Sequence, residues 1–312
     1  MKEHKSTASF QSEKNTVVTI GTFDGVHIGH QKIIKKLVKS AKKEDLESVI
    51  LTFFPHPRMV LQKDDSIKLI NTIDEKKQLL AAEGVDHLIV HPFTKEFSQM
   101  EAAEFVQEIL LKQLKAKKII IGYDHRFGKN RSADISDLKK FGEEFGFEVE
   151  EISKQEVEHI AVSSTKIRNA LFEGKIKLAN KYLSRPFMLS GTVVKGKGLG
   201  KDFGFPTANI EIAETYKLIP KIGVYVVRSV IEGVEVYGMM SIGFNPTVGG
   251  TEKTIEAHFF DFEKDIYGEF LQIEILKRIR DEINFGNTED LKEAIQKDEV
   301  FSRAYIKKHY AG

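Results

Sequence analysis

The chain has 312 residues, of which 41% are hydrophobic and 30% charged, and its formal net charge is +1. This length and composition suit two ordinary globular domains, and a nearly neutral chain lacks the basic field of bulk nucleic-acid or anionic-membrane binders. The absence of cysteine excludes disulfides, thiolate metal sites and thiol nucleophiles. The polar N-terminus has no apolar stretch typical of a signal peptide, and no apolar run approaches the ~20 residues that span a bilayer. We therefore expect a soluble, cytoplasmic protein.

The first half of the chain alternates short apolar runs with longer amphipathic segments. Strands are predicted at residues 16–20, 48–54, 86–91, 117–123 and 147–152. After the first of them, "HQKIIKKLVKSAKKED" places its apolar side chains on one helical face. Continuously apolar strands that alternate with helices indicate a buried parallel sheet of the α/β class. Two further helices are predicted in "VSSTKIRNALFEG" and "KIKLANKYL".

The pattern changes after "SRPF", where helices almost disappear. Short β-like runs follow with turn residues between most of them, in "MLSGTVV", "GVYVVRSVI", "EVYGMMSIG", "TIEAHFFDF" and "FLQIEILKRI". This pattern is typical of an antiparallel barrel or sandwich. A last helix is predicted after Asn287 or Thr288 as N-cap. We place the domain boundary near residue 185, giving domains 1–185 and 186–312.

The stretch "GTFDGVHIGH", residues 21–30, directly follows the first predicted strand. Parallel α/β sheets bind ligands beyond the carboxyl ends of their strands, and a following helix N-terminus suits phosphate. Gly21 and Gly25 would let the backbone turn tightly. His27 and His30 would project from one side of the first helical turn and could donate hydrogen bonds to phosphate oxygens. The alternatives are a metal site, for which no third ligand lies nearby, and helix-capping or structural histidines.

The segment "SSTKIR", residues 163–168, combines hydroxyl groups at a helix start with Arg168 one turn later. This arrangement suits a second anion-binding corner. An ordinary helix cap explains the same residues equally well.

The glycine-dense segment "GTVVKGKGLGKDFGFPTANI", residues 191–210, does not fit a P-loop. That pattern requires glycine where Lys195 stands and a serine or threonine where Asp202 follows Lys201. Thr207 and Asn209 in "PTAN" instead offer hard oxygen ligands suited to Mg²⁺ that bridges phosphates. A proline turn with an Asx hydrogen bond is the alternative.

Glu256 stands on a predicted strand, where strict alternation would place it on one face with Thr254 and His258. A glutamate that faces a cavity could accept the proton of a substrate hydroxyl during phosphoryl transfer. A solvent-facing glutamate is the alternative, and alternation alone favours it.

Together these motifs resemble a known family. The first half resembles the adenylyltransferase half of the prokaryotic bifunctional riboflavin kinase/FAD synthetase family in four motifs, in order: "GTFDGVHIGHQ", "TFFPHP", "GYDHRFG" and "SSTKIR". The first of these motifs has the H-x-G-H spacing of the nucleotidyltransferase superfamily. "GFPTANI", "IPKIGVYVV", "SIGFNPTVGG", "IEAHFFDF", "DIYGE" and "KRIRDE" resemble its riboflavin kinase domain. The resemblance implies a Rossmann-like nucleotidyltransferase domain and a small antiparallel Greek-key β-barrel with a C-terminal helix. It also implies phosphorylation of riboflavin to FMN by ATP, then adenylylation of FMN to FAD with release of pyrophosphate, with Mg²⁺ in both steps.

The resemblance further implies roles for individual residues. Glu256 would be the kinase base, and His27 and His30 would stabilise charge at the α-phosphate and the departing pyrophosphate. Contacts with ATP or its phosphates would come from Gly21, Thr22, Phe23, Asp24, Gly25, Ser163, Ser164, Thr165, Arg168, Gly196, Lys201, Gly204, Thr207 and Asn209. Mg²⁺ would be bound by Thr207 and Asn209, and flavin by Asp124, Phe127 and Arg280. The Asp124 carboxylate would repel a phosphate unless Mg²⁺ intervened, which leaves its role open.

Two other functions compete with this interpretation. One is a single-activity adenylyltransferase for another small phosphate, such as phosphopantetheine or nicotinate mononucleotide, although such an enzyme needs no "PTAN"-bearing second half. The other is a non-catalytic flavin-binding regulator, although both histidines, Thr207, Asn209 and Glu256 are retained. We expect the partners to be the small molecules riboflavin, FMN and ATP, without nucleic acid or membrane.

Overall fold

The computed structural model describes residues 1–62, 66–123, 125–152, 162–196, 204–244 and 253–310. Contacts divide the chain into two compact units, Met1–Ser164 and Thr165–Gly312. The two helices that we placed at the end of the first domain thus group with the second unit. Our prediction that the two catalytic activities divide near residue 185 stays a prediction.

A six-stranded parallel sheet forms the centre of the first unit, with strand order β1-β4-β3-β2-β5-β6. The strands are β1 Lys2–His4, β2 Thr16–Ile20, β3 Glu47–Phe54, β4 His87–Pro92, β5 Ala116–Gly122 and β6 Glu148–Ile152. All five predicted strands are present. Because β2 pairs with β3 on one side and with β5 on the other, the strand order reverses beside it. The carboxyl ends of β2 and β5 therefore flank the crevice where such sheets bind ligands.

Helices cover both faces of this sheet. They are α1 Ile28–Lys43, α2 Pro57–Leu61, α3 Ile73–Ala82, α4 Ala102–Glu104, which continues as a π-helical segment Phe105–Gln113, and α5 Ile135–Phe145. Val17 and Val18 of the wholly buried strand β2 belong to two different hydrophobic clusters. Since successive strand side chains point to opposite faces, each face has its own core. Ile34 and Leu37 of α1 lie in one of them, which confirms the predicted apolar face of that helix.

The edge strand β1 is the one strand of this sheet that the sequence did not predict. It is three residues long and pairs in parallel with β4. The ring nitrogen Nε2 of its His4 lies 3.0 Å from Nδ1 of His87, which helps to hold the strand at the edge. A short polar strand has no apolar periodicity, so no sequence signal marks it.

The second unit contains a closed six-stranded barrel with strand order β10-β11-β8-β7-β12-β9. The strands are β7 Phe187–Val194, β8 Ala208–Glu211, β9 Gly223–Ile231, β10 Val234–Phe244, β11 Lys253–Phe259 and β12 Phe270–Arg280. All observed pairings are antiparallel. The sequence predicted either a barrel or a sandwich, and the structure is a barrel. The strand β8, within the "PTANIE" segment, is an additional strand that the sequence did not predict.

Among the described residues, three helices accompany the barrel: α6 Ser164–Phe172, α7 Ile176–Leu183 and the C-terminal α8 Thr288–His309, whose N-cap is Asn287. Asn180 of α7 donates to the carbonyl of Ile275 at 2.9 Å and accepts from the amide of Phe187 at 2.8 Å. This asparagine side chain therefore joins α7 to both β7 and β12, which explains why the helix groups with the barrel.

Candidate active sites

The loop between β2 and α1, residues 21–27, lies at the carboxyl end of the central strand. The amide of Gly21 still bonds to the carbonyl of Leu51 at 3.0 Å, and then the pairing with β3 ends. The backbone passes through the left-handed region at Phe23, Gly25 and Val26, with φ of 46°, 88° and 38°. A non-glycine residue, and a β-branched valine above all, takes this conformation only where its surroundings hold it. The local strain marks this loop as a candidate functional segment.

Side chains from other elements hold the carbonyls of this loop. Three alternate carbonyls accept side-chain hydrogen bonds, in the pairs Lys76–Thr22, Ser164–Asp24 and Gln31–Val26, at 2.7, 2.9 and 3.1 Å. The first residues of "SSTKIR" are thus connected to the "GTFDG" loop, as a common site would require. The Ser164 hydroxyl has a structural partner here, and its predicted phosphate contact stays a prediction.

The side chain of Asp24 is buried, with 1% of its surface exposed. Its Oδ1 accepts from the amide of Ile70 at 2.9 Å and from the amide of Asn71 at 3.4 Å. The carboxylate therefore fixes the segment that leads into α3. We predicted a contact between Asp24 and ATP, but these hydrogen bonds give the carboxylate a structural role, and the predicted contact remains untested.

Lys76 on α3 is a buried cation next to this loop, with 3% of its surface exposed. Burial lowers the pKa of Lys76 to about 8, although the negative charge of Asp24 acts to raise it. The sequence analysis did not single out this residue.

His27 and His30 stand together at the start of α1. His27 is the N-cap, and its Nδ1 accepts the amide of His30 at 3.3 Å. The two rings stack with centroids 3.6 Å apart and planes inclined by 15°. A Cβ at Gly29 would lie 3.2 Å from Nδ1 of His27, so the glycine leaves room for the ring. Both histidines project from one side of the first turn, as predicted.

The helix-capping alternative for His27 is thus observed, but it does not compete with phosphate binding. Because Nδ1 of His27 accepts a hydrogen bond, the proton of a neutral ring resides on Nε2. An Nε2–H group is the donor that a phosphate oxygen requires. Capping and the predicted phosphate contact would therefore use different nitrogens of one ring.

The remaining predicted residues of the first half are less closely grouped. Asp124 lies outside the described residues. Phe127 is buried in the core, with its ring centroid 6.0 Å from that of Phe105, which gives it a packing role. Ser163 and Thr165 are exposed at the start of α6, and Arg168 is partly buried one turn later. The flavin contact of Phe127 and the phosphate contacts of the other three stay predictions.

A second group of predicted residues meets on two neighbouring barrel strands. The hydroxyl of Thr207 donates to Oε2 of Glu256 at 3.2 Å. Asn209 of β8 stands directly opposite Glu256 of β11 in the strand register. A Cβ added at Gly196 would overlap the side-chain amide of Asn209. Gly196, Thr207 and Asn209 from the glycine-dense segment therefore lie beside Glu256, which we predicted from a separate strand.

The alternation predicted for β11 is confirmed. Ile255, Ala257 and Phe259 are buried, whereas Glu256 and His258 are only partly buried on the other face. The Glu256 carboxylate thus stands outside the barrel core, where a substrate hydroxyl could reach it. The sequence alone could not distinguish this position from an ordinary solvent-facing one.

His258 is a residue of this group to which the sequence analysis gave no role. Its Nδ1 lies 2.8 Å from the carbonyl of Pro206, and since a carbonyl can only accept, Nδ1 carries the proton. The hydrogen bond holds the chain just before Thr207. Strand alternation had already placed His258 on the face of Glu256, and that was the available signal. Gly204, two residues before Pro206, has a φ of 83°. Lys201, which we predicted to contact ATP, lies outside the described residues.

Arg280, predicted to contact flavin, forms an ion pair with Asp298 of α8. Its Nε lies 3.0 Å from both carboxylate oxygens and its Nη2 lies 2.7 Å from Oδ2. The Asp298 side chain is 6% exposed and that of Arg280 is 23% exposed. The pair fixes the C-terminal helix to β12, so Arg280 has a structural role, and its flavin contact stays a prediction.

Comparisons with known proteins match the two parts of the chain to two families. Residues 9–166 match the FAD synthetase family and residues 183–306 match the riboflavin kinase family. A bifunctional riboflavin kinase/FMN adenylyltransferase from Listeria monocytogenes is 37% identical, covering 98% of this chain and 97% of the relative. One from Escherichia coli is 34% identical and covers 94% of each chain.

A crystal structure described as a macrolide-efflux protein from Streptococcus pneumoniae has a TM-score of 0.86 and 33% identity, covering 97% of this chain and 98% of that one. That description concerns the other protein. Within the described ranges of this chain, no helix combines the length and apolarity needed to cross a membrane. The two family matches, together with two relatives that align over nearly the whole length of the chain, show that it belongs to the bifunctional riboflavin kinase/FMN adenylyltransferase family.

Proposed function

We propose that this chain makes FAD from riboflavin in two steps. In the first step the γ-phosphoryl group of ATP passes to the ribityl 5′-hydroxyl of riboflavin, which gives FMN and ADP. In the second step the phosphate of FMN attacks the α-phosphorus of another ATP, which gives FAD and pyrophosphate. The observation that carries the proposal is the meeting of the "PTAN" segment with Glu256 through the Thr207 hydrogen bond. Membership of the family supports both steps.

For the kinase step we assign the base to Glu256. Its carboxylate would take the proton of the 5′-hydroxyl while the hydroxyl oxygen bonds to the γ-phosphorus and the bond to the β-phosphate oxygen breaks. The hydrogen bond from Thr207 orients one carboxylate oxygen, and the other can face the substrate. Partial exposure on the outer face of β11 makes the carboxylate accessible.

We assign Mg²⁺ binding in the kinase step to Thr207 and Asn209. Their hydroxyl and amide oxygens are hard ligands, and Mg²⁺ typically takes few protein ligands and completes its shell with phosphate oxygens and water. The donor set fits because Asn209 stands opposite Glu256 and Thr207 is bonded to it. When bound, the ion would neutralise charge that develops on the transferred phosphoryl group.

The adenylyl step makes different demands on the protein. The attacking phosphate of FMN is already an anion at neutral pH, so no general base is required. What the reaction needs is positive charge and hydrogen-bond donors at the α-phosphate and the departing pyrophosphate. We assign this role to His27, His30 and the start of α1, which combines two imidazole rings with the positive end of a helix.

The test is to incubate the full-length protein with riboflavin, ATP and Mg²⁺ and to separate the flavins by chromatography. FMN should appear first and FAD later, with one pyrophosphate released for each FAD. Supplied FMN should give FAD without further kinase turnover. Removal of divalent cations with EDTA should stop both steps, and added Mg²⁺ should restore them. The proposal fails for a step whose product is absent under these conditions.

A further inference from the structure

Four polar residues around the start of α3 are almost fully buried, although the sequence gave no reason to single them out. Asn71, Thr72, Glu75 and Lys76 expose 2, 3, 1 and 3% of their surface. Charged side chains are rarely buried to this extent unless a partner or a function requires it.

Three of the four have a local structural explanation. Thr72 and Glu75 form a capping box, in which each side chain bonds to the backbone amide of the other residue at 3.1 Å. The Asn71 amide donates to the same Glu75 carboxylate at 3.1 Å. These contacts define where α3 begins.

Lys76 differs because its side chain leaves the helix and binds the loop after β2. Its ammonium group donates to the carbonyl of Thr22 at 2.7 Å. The hydroxyl of Thr52 on β3 donates to the same carbonyl at 3.2 Å. A neutral hydroxyl therefore already donates to this carbonyl, and burying an ammonium group costs far more free energy than burying a hydroxyl. The hydrogen bond alone does not explain the choice of a lysine.

The charge of Lys76 provides that explanation. The groups around its ammonium are the Asp24 carboxylate and the Thr22 carbonyl from the loop and the Thr52 hydroxyl from β3, which shares that carbonyl. Glu75 precedes it on its own helix, with its carboxylate bonded to the Thr72 amide and the Asn71 side chain. Asp24 is buried within the loop that we assign to the phosphates of ATP. A protonated Lys76 offsets the negative charge of Asp24, which acts on Lys76 in return. Loss of that positive charge would make the surroundings of the loop more negative and would oppose the binding of a polyanionic substrate.

We propose that Lys76 is a positioning residue for adenylyl transfer, whose ammonium group both fixes the carbonyl of Thr22 and balances the carboxylate of Asp24. The loop then keeps its strained left-handed turns and presents the His27–His30 pair in one arrangement. This inference rests on the proposed adenylyl transfer at the same loop.

The chain offers a matched control one residue away. Lys77 lies on the surface of the same helix, with ion pairs to Glu3 and Asp74 at 2.9 and 3.0 Å. The experiment compares Lys76→Met, Lys76→Arg and Lys77→Met in the full-length protein. FAD formation from FMN and ATP and riboflavin phosphorylation are measured in each preparation. We expect Lys76→Met to lower kcat/KM for FAD formation by about 10²-fold, the usual cost of a displaced reacting group, with most of the loss in kcat. Riboflavin phosphorylation and the Lys77→Met variant should stay within about 3-fold of the starting protein.

The pH dependence separates positioning by charge from a merely structural role. Burial lowers the pKa of Lys76 to about 8, so kcat/KM for FAD formation should decline above that pH as the lysine loses its proton and the loop loses a positive charge. A guanidinium group stays protonated, so Lys76→Arg should keep its activity to higher pH. Riboflavin phosphorylation should lack this decline.

The outcomes are distinguishable. A starting protein that forms no FAD refutes the proposed adenylyl transfer itself. If FAD forms and Lys76→Met equals Lys77→Met, the positioning role is wrong. The same conclusion follows if Lys76→Arg declines at the same pH as the starting protein. Should Lys76→Met fail to fold, the pH profile of Lys76→Arg decides: a decline moved to higher pH supports the inference, and an unmoved one overturns it.

Discussion

Replacing Glu256 with glutamine tests the kinase assignment most directly. Glutamine has nearly the same size and keeps an oxygen that can accept the Thr207 hydroxyl, which donates to Glu256 at 3.2 Å. It cannot take up the proton of a substrate hydroxyl. The substitution therefore removes the proposed chemistry and preserves the local geometry.

The size of the expected effect follows from where the residue lies. Glu256 is partly exposed on the outer face of β11, so the change in the free energy of unfolding should stay within about 0.5–1 kcal/mol. Loss of a general base costs about 10²–10⁴-fold in rate, equivalent to about 2.7–5.4 kcal/mol in the activation barrier. The two effects differ enough that a measured loss of rate cannot be attributed to unfolding.

The assay follows FMN formation from riboflavin and Mg-ATP, together with the melting temperature. A matched control is Glu269→Gln, since Glu269 is exposed in the turn before β12. We expect Glu256→Gln to lose riboflavin phosphorylation by the stated factor and to form FAD from supplied FMN at an unchanged rate, while Glu269→Gln keeps both activities. Kinase turnover of Glu256→Gln within a few-fold of the starting protein would refute the assignment of the base.

Three further predictions concern other parts of the chain. His30→Ala should lower FAD formation by about 10²-fold, in the range for loss of one hydrogen-bond donor to the transition state, and should retain riboflavin phosphorylation. If both activities fall together with the melting temperature, the histidine is structural. Asp298→Asn leaves the guanidinium of Arg280 mostly buried without its counter-charge, so the free energy of unfolding should fall by about 2–4 kcal/mol and the barrel should melt about 6–12 °C lower in calorimetry. An unchanged melting temperature with a raised KM for riboflavin would instead favour the predicted flavin contact. The fragment Thr165–Gly312 should phosphorylate riboflavin, form no FAD and melt higher than a fragment that starts at Tyr182, because only the longer one keeps all of α7; equal melting would contradict this.

Periodicity in the sequence predicted most of the fold because most strands are apolar on at least one face. The central strand β2 is buried along its whole length and was predicted with its observed bounds, Thr16–Ile20. The strands β1 and β8 were not predicted. Ala208 and Asn209 begin β8 directly after the "PT" pair, and this short strand lacks the run of apolar side chains that signals a strand in the sequence.

The site was predictable where short motifs carry it and unpredictable where tertiary contacts decide. Thr207, Asn209 and Glu256, which we proposed for the site from the "PTAN" segment and from the family resemblance, lie together in the structure. Lys76 was not, because it and Lys77 are identical neighbours in an ordinary charged helix sequence. One is buried at the Thr22 carbonyl and the other forms surface ion pairs. The position of a loop some fifty residues earlier makes this difference, and no local pattern contains it.

Glycine serves the two sites in two physically different ways. In the loop after β2, Gly25 is required by its backbone, since its φ of 88° is a conformation that side chains disfavour. At Gly29 and Gly196 the reason is space instead. A Cβ at Gly29 would press on the ring of His27, and one at Gly196 would overlap the amide of Asn209. Each of these two glycines therefore lets the side chain of a candidate site residue lie directly against the main chain, so its tolerance to substitution should depend on that neighbouring side chain and not on helix or loop propensity.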